Sequence, residues 1–347
     1  MNQAQRQHTP IIKLALLCLL TLSVLPRYSL AEEVNVYSAR KEALIRPLLE
    51  RFTQATGIVV NLVTGKADTL LSRLQNEGRN SPADVFITVD VGRLSRAKQA
   101  GVLQPVTDPS LLQAVPATFR DQENFWFGLS IRARTLIYAR QRVKTTELSS
   151  YEQLADPVWS KRICLRSSEN IYNQSLVAAM IVADGEATTL QWAKGMISNL
   201  ARSPRGGDRD QIKAVAAGLC DVTLVNTYYL GRMLKSKYQD TLLAASKVAI
   251  FWPNQTGRGV HVNISGAGLT ASAPHRANAI RLLKFLLTPE SQRWYARVNY
   301  EYPVRKGVSL DPLVASWGSF TQDDTPLPRL GDYNARAVML MDKAGWK

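Results

Sequence analysis

Tyr228 and Tyr229 stand side by side directly after the apolar run 220–226 (CDVTLVN). That run reads as a buried strand, and the carboxyl ends of parallel strands are where α/β sheets place ligand groups. A third tyrosine, Tyr172, follows a strand predicted over 161–166 after a polar turn (SSEN) and precedes a helix. Two strand-end loops can therefore bring three phenols together. Phenolate oxygens are hard, anionic and poorly matched to soft metals, so several converging on one point suit a highly charged hard cation such as ferric iron. Such a cation displaces phenol protons that otherwise leave near pH ~10. Taken alone, adjacent tyrosines at a strand end are more often packing or interface residues.

The elements that must position these residues alternate along the chain. A strand is predicted over 34–37, a helix over 42–53 with Leu44, Ile45, Leu48, Leu49 and Phe52 at helical spacing, and Gly57 to stop it. A strand over 58–63, a helix over 69–76, a strand over 83–88 and a helix over 94–100 follow. This βαβαβα rhythm predicts a parallel sheet covered on both faces. Residues 126–138 (WFGLSIRARTLIY) read as two strands with no helix between them, an extended crossover. Helices are then predicted over 174–183, 188–199, 210–218 and 273–287, with strands over 247–252 and 260–264 that suggest a second crossover. The expected fold class is α/β with two lobes and a ligand cleft between them. The expected lobes are 32–130 plus about 253–305, and 131–252 plus about 306–347.

Composition narrows the chemistry. With 347 residues and 46% apolar composition, the chain is long enough for two lobes and too apolar to be disordered. Three cysteines and three histidines exclude a Cys/His metal scaffold, so any metal must lean on oxygen ligands. Arg6 and Lys13 precede an apolar run over 14–25, and Ser29-Leu30-Ala31 closes it with a small-x-small signature. This is the pattern of a secretory signal peptide cleaved near Ala31. A membrane span needs ~20 apolar residues, and Pro26-Arg27 ends the run too early. Cleavage removes three of the 43 basic residues and none of the 28 acids, leaving 40 minus 28, or +12. The basic residues are scattered singly or in pairs, which reads as a solvated face, and no nucleic-acid motif accompanies them.

Five segments carry a family resemblance: VNVYSAR at 34–40, PADVF at 82–86, LSIRARTLIY at 129–138, RSSENIYNQSL at 166–176 and VNTYYLGR at 225–232. Together, in order and across the whole mature chain, they resemble the periplasmic ferric-iron-binding proteins that feed ABC importers. The resemblance implies a type II-like periplasmic binding protein fold, closing by a hinge, that clamps Fe³⁺ with tyrosinates and a synergistic anion such as carbonate. It implies delivery to an ABC permease in the inner membrane and no catalysis, and the receptor is expected to be a monomer. Tyr172, Tyr228 and Tyr229 match the family's ligand tyrosines. Arg132 matches an arginine that neutralises the site or holds the anion, Arg232 matches one four residues past the first paired tyrosine, and Arg40 is a weaker candidate for the same anion. Three phenolates balance Fe³⁺, and arginine forks suit an oxyanion. Some relatives carry His-Tyr directly after the YSxR segment, where this chain has Lys41-Glu42. It therefore resembles the relatives that use three tyrosines plus an exogenous anion or water, with Glu42 a minor carboxylate candidate and Tyr37 a packing residue near the cleft.

Cys164 and Cys220 remain after processing, each in a predicted strand of the same lobe, and export leads to an oxidising space. A disulfide between them is expected. Gly266 to Ala271 fits G-x-G-x-x-A after a strand, but the next helix waits behind Pro274 and no acid follows at the needed distance, so a dinucleotide site is not expected. A receptor of the same fold for an organic anion or phosphonate is the alternative that the arginines and the +12 charge leave open.

Overall fold

The computed structural model describes residues 32–347, so the signal-peptide reading of residues 1–31 lies outside the described residues. The first strand, β1 (Glu33–Ser38), leads into helix α1 (Arg46–Thr56), which buries Leu48, Leu49 and Phe52. Strand β2 (Val59–Thr64), helix α2 (Ala67–Glu77), strand β3 (Val85–Val89) and helix α3 (Val91–Gln99) complete the opening rhythm. Strand β1 lies between β2 and β3 and is parallel to both, as the alternation predicts.

Strand β4 (Phe127–Ala139) is one continuous strand of 13 residues, all buried, where the sequence reads as two. A register shift between Gly128 and Ser130 bends it without breaking it. Beyond it come the short β5 (Ile163–Cys164), helix α4 (Ile171–Ser198), α5 (Asp208–Ala216), β6 (Val222–Asn226), α6 (Thr227–Leu234), β7 (Val248–Phe251) and β8 (Val262–Thr270). Helix α4 covers both predicted helices and kinks at Gly185, whose φ is 81°. Strand β9 (Tyr302–Pro303), then helices α7 (Leu327–Asp332) and α8 (Asn334–Lys343), close the chain.

The sheet is mixed rather than all-parallel, because β8 runs antiparallel to both β3 and β4. Strand order is β2-β1-β3-β8-β4-β6-β5. The first half of β4, Phe127 to Ala133, pairs with β8, whereas Arg134 to Ala139 pairs with β6 and β7. The apolar cores divide along the same line. One gathers Phe52, Val85, Trp126, Phe127, Ile264 and Leu282, and another gathers Leu136, Trp159, Trp192, Leu224 and Trp346.

The glycine-rich passage lies inside β8, not in a phosphate-binding loop. A Cβ on Gly266 would stand 2.7 Å from Leu94 Cδ1 and 2.8 Å from the Phe127 carbonyl oxygen, so close backbone approach accounts for the glycine. Cys164 and Cys220 form the expected disulfide, with Cα atoms 5.8 Å apart. Among the described residues, no helix is long and apolar enough to cross a membrane.

Candidate metal centre

Both tyrosine-bearing loops place their phenols by starting a helix. Tyr172 is the second residue of α4, whose first turn is fixed by the Asn170 side chain accepting the Asn173 N–H. Tyr228 and Tyr229 are the second and third residues of α6, immediately after the fully buried β6. The Tyr228 hydroxyl donates to the Tyr172 oxygen at 3.3 Å, and the rings of Tyr228 and Tyr229 stand 4.3 Å apart. Tyr228 is buried, while Tyr172 and Tyr229 are half-buried. All three line one cavity of about 420 Å³, together with Arg132, Arg232 and Arg40. The six residues singled out in the sequence therefore meet in one place.

The arginines differ in how they are held. Arg132 lies 5.0 Å over the Tyr172 ring and donates one N–H to the Ile264 carbonyl at 2.7 Å. Its Nε and Nη1 are buried without a partner. Arg232, one helical turn past Tyr228, stacks 5.0 Å over that ring, and its Nε likewise has no partner. Arg40 is different: its fork is bidentate to Glu301, at 3.0 and 3.2 Å, and donates to the Ser265 hydroxyl at 2.6 Å. Glu301 also accepts from the Ser130 hydroxyl.

Electrostatics follow from burial. Desolvation, then the neighbouring phenols, push Tyr228 and Tyr229 well above the ordinary tyrosine range, so both carry their protons at neutral pH. Burial alone would lower Arg132, but attraction to the phenolate forms of Tyr172 and Tyr228, then to Glu301 and Asp90, outweighs it and raises its pKa. For Arg232 burial wins over the attraction of Glu301, and its pKa falls below the usual arginine value.

Several supporting residues escape the sequence reading. Arg134 lies two residues after Arg132 on β4, hence on the same face of the strand. It bonds Asn173, the Asn226 side chain at 3.3 Å, the Leu224 carbonyl at 3.1 Å and Asp208 at 3.5 Å. Asn173 adjoins Tyr172 and Asn226 precedes Tyr228 by two, so one guanidinium fixes the roots of both tyrosine loops. Asp208, wholly buried at the start of α5, also pairs with Arg166 on the cavity wall. The spacing of Arg132 and Arg134 is a signal that could have been read. Nothing local marks Asp208 or Glu301.

The secondary candidates lie elsewhere. Glu42 pairs with Arg46 at 2.5 Å on the surface and does not line the cavity. Tyr37 packs in the core and donates to Glu77 at 2.9 Å. His261 is buried, and desolvation followed by nearby arginines pushes its pKa down to about 3. His275 sits at 3.0 Å from Asp84. Among the described residues, no group of three His, Cys, Asp or Glu side chains is placed to hold a metal.

Comparison with known proteins places the chain in a family. Residues 48–322 match the bacterial extracellular solute-binding protein family. Iron uptake protein A1 of Synechocystis sp. is 50% identical over 316 residues, covering 91% of this chain and 88% of the relative. The structure of Trichodesmium IdiA (FutA) in complex with iron and citrate superposes with a TM-score of 0.88 at 47% identity, covering 91% of this chain and 100% of the other. The ferric binding protein of Campylobacter jejuni superposes at 0.87 with 37% identity, over 90% of this chain and 100% of the other. The two-lobed α/β fold, the tyrosine-lined cavity and these similarities together show that the chain belongs to the bacterial extracellular solute-binding proteins, in the branch of the iron uptake and ferric-binding receptors.

Proposed function

We propose that this protein captures Fe³⁺ in the periplasm with Tyr172, Tyr228 and Tyr229 and hands it to an ABC permease of the inner membrane. The observation that carries the reading is the convergence of three phenols from two helix starts, with two arginines stacked on their rings. Three phenolates balance the charge of Fe³⁺, and the remaining coordination positions fall to an exogenous anion such as carbonate, or to water. Arg132 is the principal anion holder in this reading, because two of its buried N–H groups have no protein partner. Arg232 supports it from the face of Tyr228.

Lobes 32–130 plus about 253–305, and 131–252 plus about 306–347, would close over the metal. The change of partners along β4 at Ala133 and Arg134 supports that division, since each half of the strand belongs to a different group of strands. The protein works as a monomer and as a receptor without catalysis. A receptor for an organic anion or phosphonate alone would use the arginines but leave three convergent phenols without a role. Equilibrium Fe³⁺ binding against a competing chelator tests the assignment. Tyr229→Phe is expected to weaken binding at least tenfold with an unchanged thermal melt; unchanged ferric affinity would remove the assignment.

A further inference from the structure

We infer that Glu301 is a built-in counter-anion that withholds Arg40 from the cavity and thereby sets how strongly the iron site depends on an exogenous anion. The inference rests on the ferric reading above and concerns the anion rather than the metal. Arg40 and Arg132 line the same cavity and are similarly deep, at 5% and 2% exposed, yet Arg40 leaves only its Nε without a partner whereas Arg132 leaves both Nε and one terminal nitrogen. Both terminal nitrogens of Arg40 are engaged, by Glu301 at 3.0 to 3.2 Å and by Ser265 at 2.6 Å. Arg132 uses one nitrogen and leaves two buried without partners. Glu301 is what makes the difference. It is itself only 3% exposed, it lines the cavity, and a second bond from Ser130 holds it in place.

The carboxylate also acts on the neighbouring cations. It pairs with Arg40 and lines the same cavity as Arg132 and Arg232, and its charge attracts both of those as well. Six cationic and three acidic side chains line the cavity, an excess of three positive charges. Fe³⁺ bound by three phenolates adds no net charge, so that excess remains to attract an anion. Glu301 competes for the same guanidinium groups. Without its charge the excess becomes four, and Arg40 gains donors for an oxyanion. With it, Arg40 is withheld, and Arg132 and Arg232 are the arginines stacked on the tyrosine rings that remain for an arriving anion.

The test uses the mature protein and inorganic phosphate or bicarbonate as the probe. Calorimetric titration of the apoprotein with phosphate is expected to show about tenfold tighter binding in Glu301→Gln than in the wild type, the yield of roughly one charge-assisted hydrogen bond. In iron-loaded protein, the phosphate concentration that half-saturates the visible ferric band should fall by a similar factor. The gain should disappear in the double variant Glu301→Gln/Arg40→Gln. Equal or weaker phosphate binding in Glu301→Gln, or no binding in either protein, would overturn the inference. If Glu301→Gln does not fold in chloride, refolding in phosphate of equal ionic strength reads the same competition: rescue supports the inference and equal yields in both salts oppose it. A wild type that gives no ferric band defeats the iron reading by itself, and the apoprotein titration still decides the role of Glu301.

Discussion

The hydroxyls of Tyr172 and Tyr228 lie 3.3 Å apart although 56 residues separate them in the chain. Each sits in the first turn of its own helix, so the contact is set by how α4 and α6 start rather than by a flexible loop. The Tyr228 hydroxyl donates the one hydrogen bond between them. A trivalent cation between them would exchange that bond, and its protons, for metal–oxygen bonds.

Proton release should accompany loading. Burial, then the neighbouring phenols, raises Tyr228 and Tyr229, so the apoprotein holds these protons at pH 7, and iron bound by both phenolates would displace them. Acid favours the protonated form and therefore iron release, and the apparent affinity falls as pH falls, by up to about tenfold per pH unit for each proton displaced. Measured in weak buffer with one ferric source, Tyr229→Phe is expected to release about one proton fewer per iron than the wild type. Equal release would mean that Tyr229 is not a ligand.

Asp208 should matter for stability before it matters for iron. Its carboxylate is fully buried between Arg134 and Arg166, and Arg134 is itself only 2% exposed. Asp208→Asn leaves buried cations short of their counter-charge, for an expected loss of about 3–5 kcal/mol in urea unfolding. A loss well below 1 kcal/mol would show that the pair is replaceable.

Helix α6 meets the 300–301 segment at a glycine. A Cβ on Gly231 would stand 2.9 Å from Tyr300 Cβ and 3.2 Å from Trp317, so Gly231→Ala must displace one of them. Overpacking of this kind costs about 1–3 kcal/mol. Because α6 carries Tyr228 and Tyr229, ferric affinity is expected to fall together with stability; unfolding titration and chelator competition on the same variant would check both.

Cys164 and Cys220 close a loop of 56 residues beside β6. In the chain-entropy picture that closure contributes about 4 kcal/mol, as an upper figure. Reduction, or the double change to alanine, should lower the urea midpoint of the mature protein, and an unchanged midpoint would contradict a formed bond.

Much of this site is legible in the sequence, for a physical reason. Tyr228 and Tyr229 follow a strand that is buried along its whole length, so its apolar run marks the end where ligands gather. Arg132 lies in a comparably apolar strand, where a charge stands out. Glu301 is invisible from sequence because its meaning comes from Arg40, 261 residues away. Arg40 itself reads as an anion holder until that partner is seen. The long β4 was harder to delimit because a bulge at Gly128 mimics a break, and Gly266 resembles a loop glycine although a close neighbouring backbone demands it.

The most direct measurement is a visible absorption titration of the mature protein with ferric citrate, repeated with Tyr172, Tyr228 and Tyr229 changed singly to Phe. Tyrosinate-bound Fe³⁺ predicts a charge-transfer band that saturates at one equivalent and weakens or shifts in each variant. A wild type without such a band at any ratio, or a band that all three variants keep unchanged, would contradict the assignment.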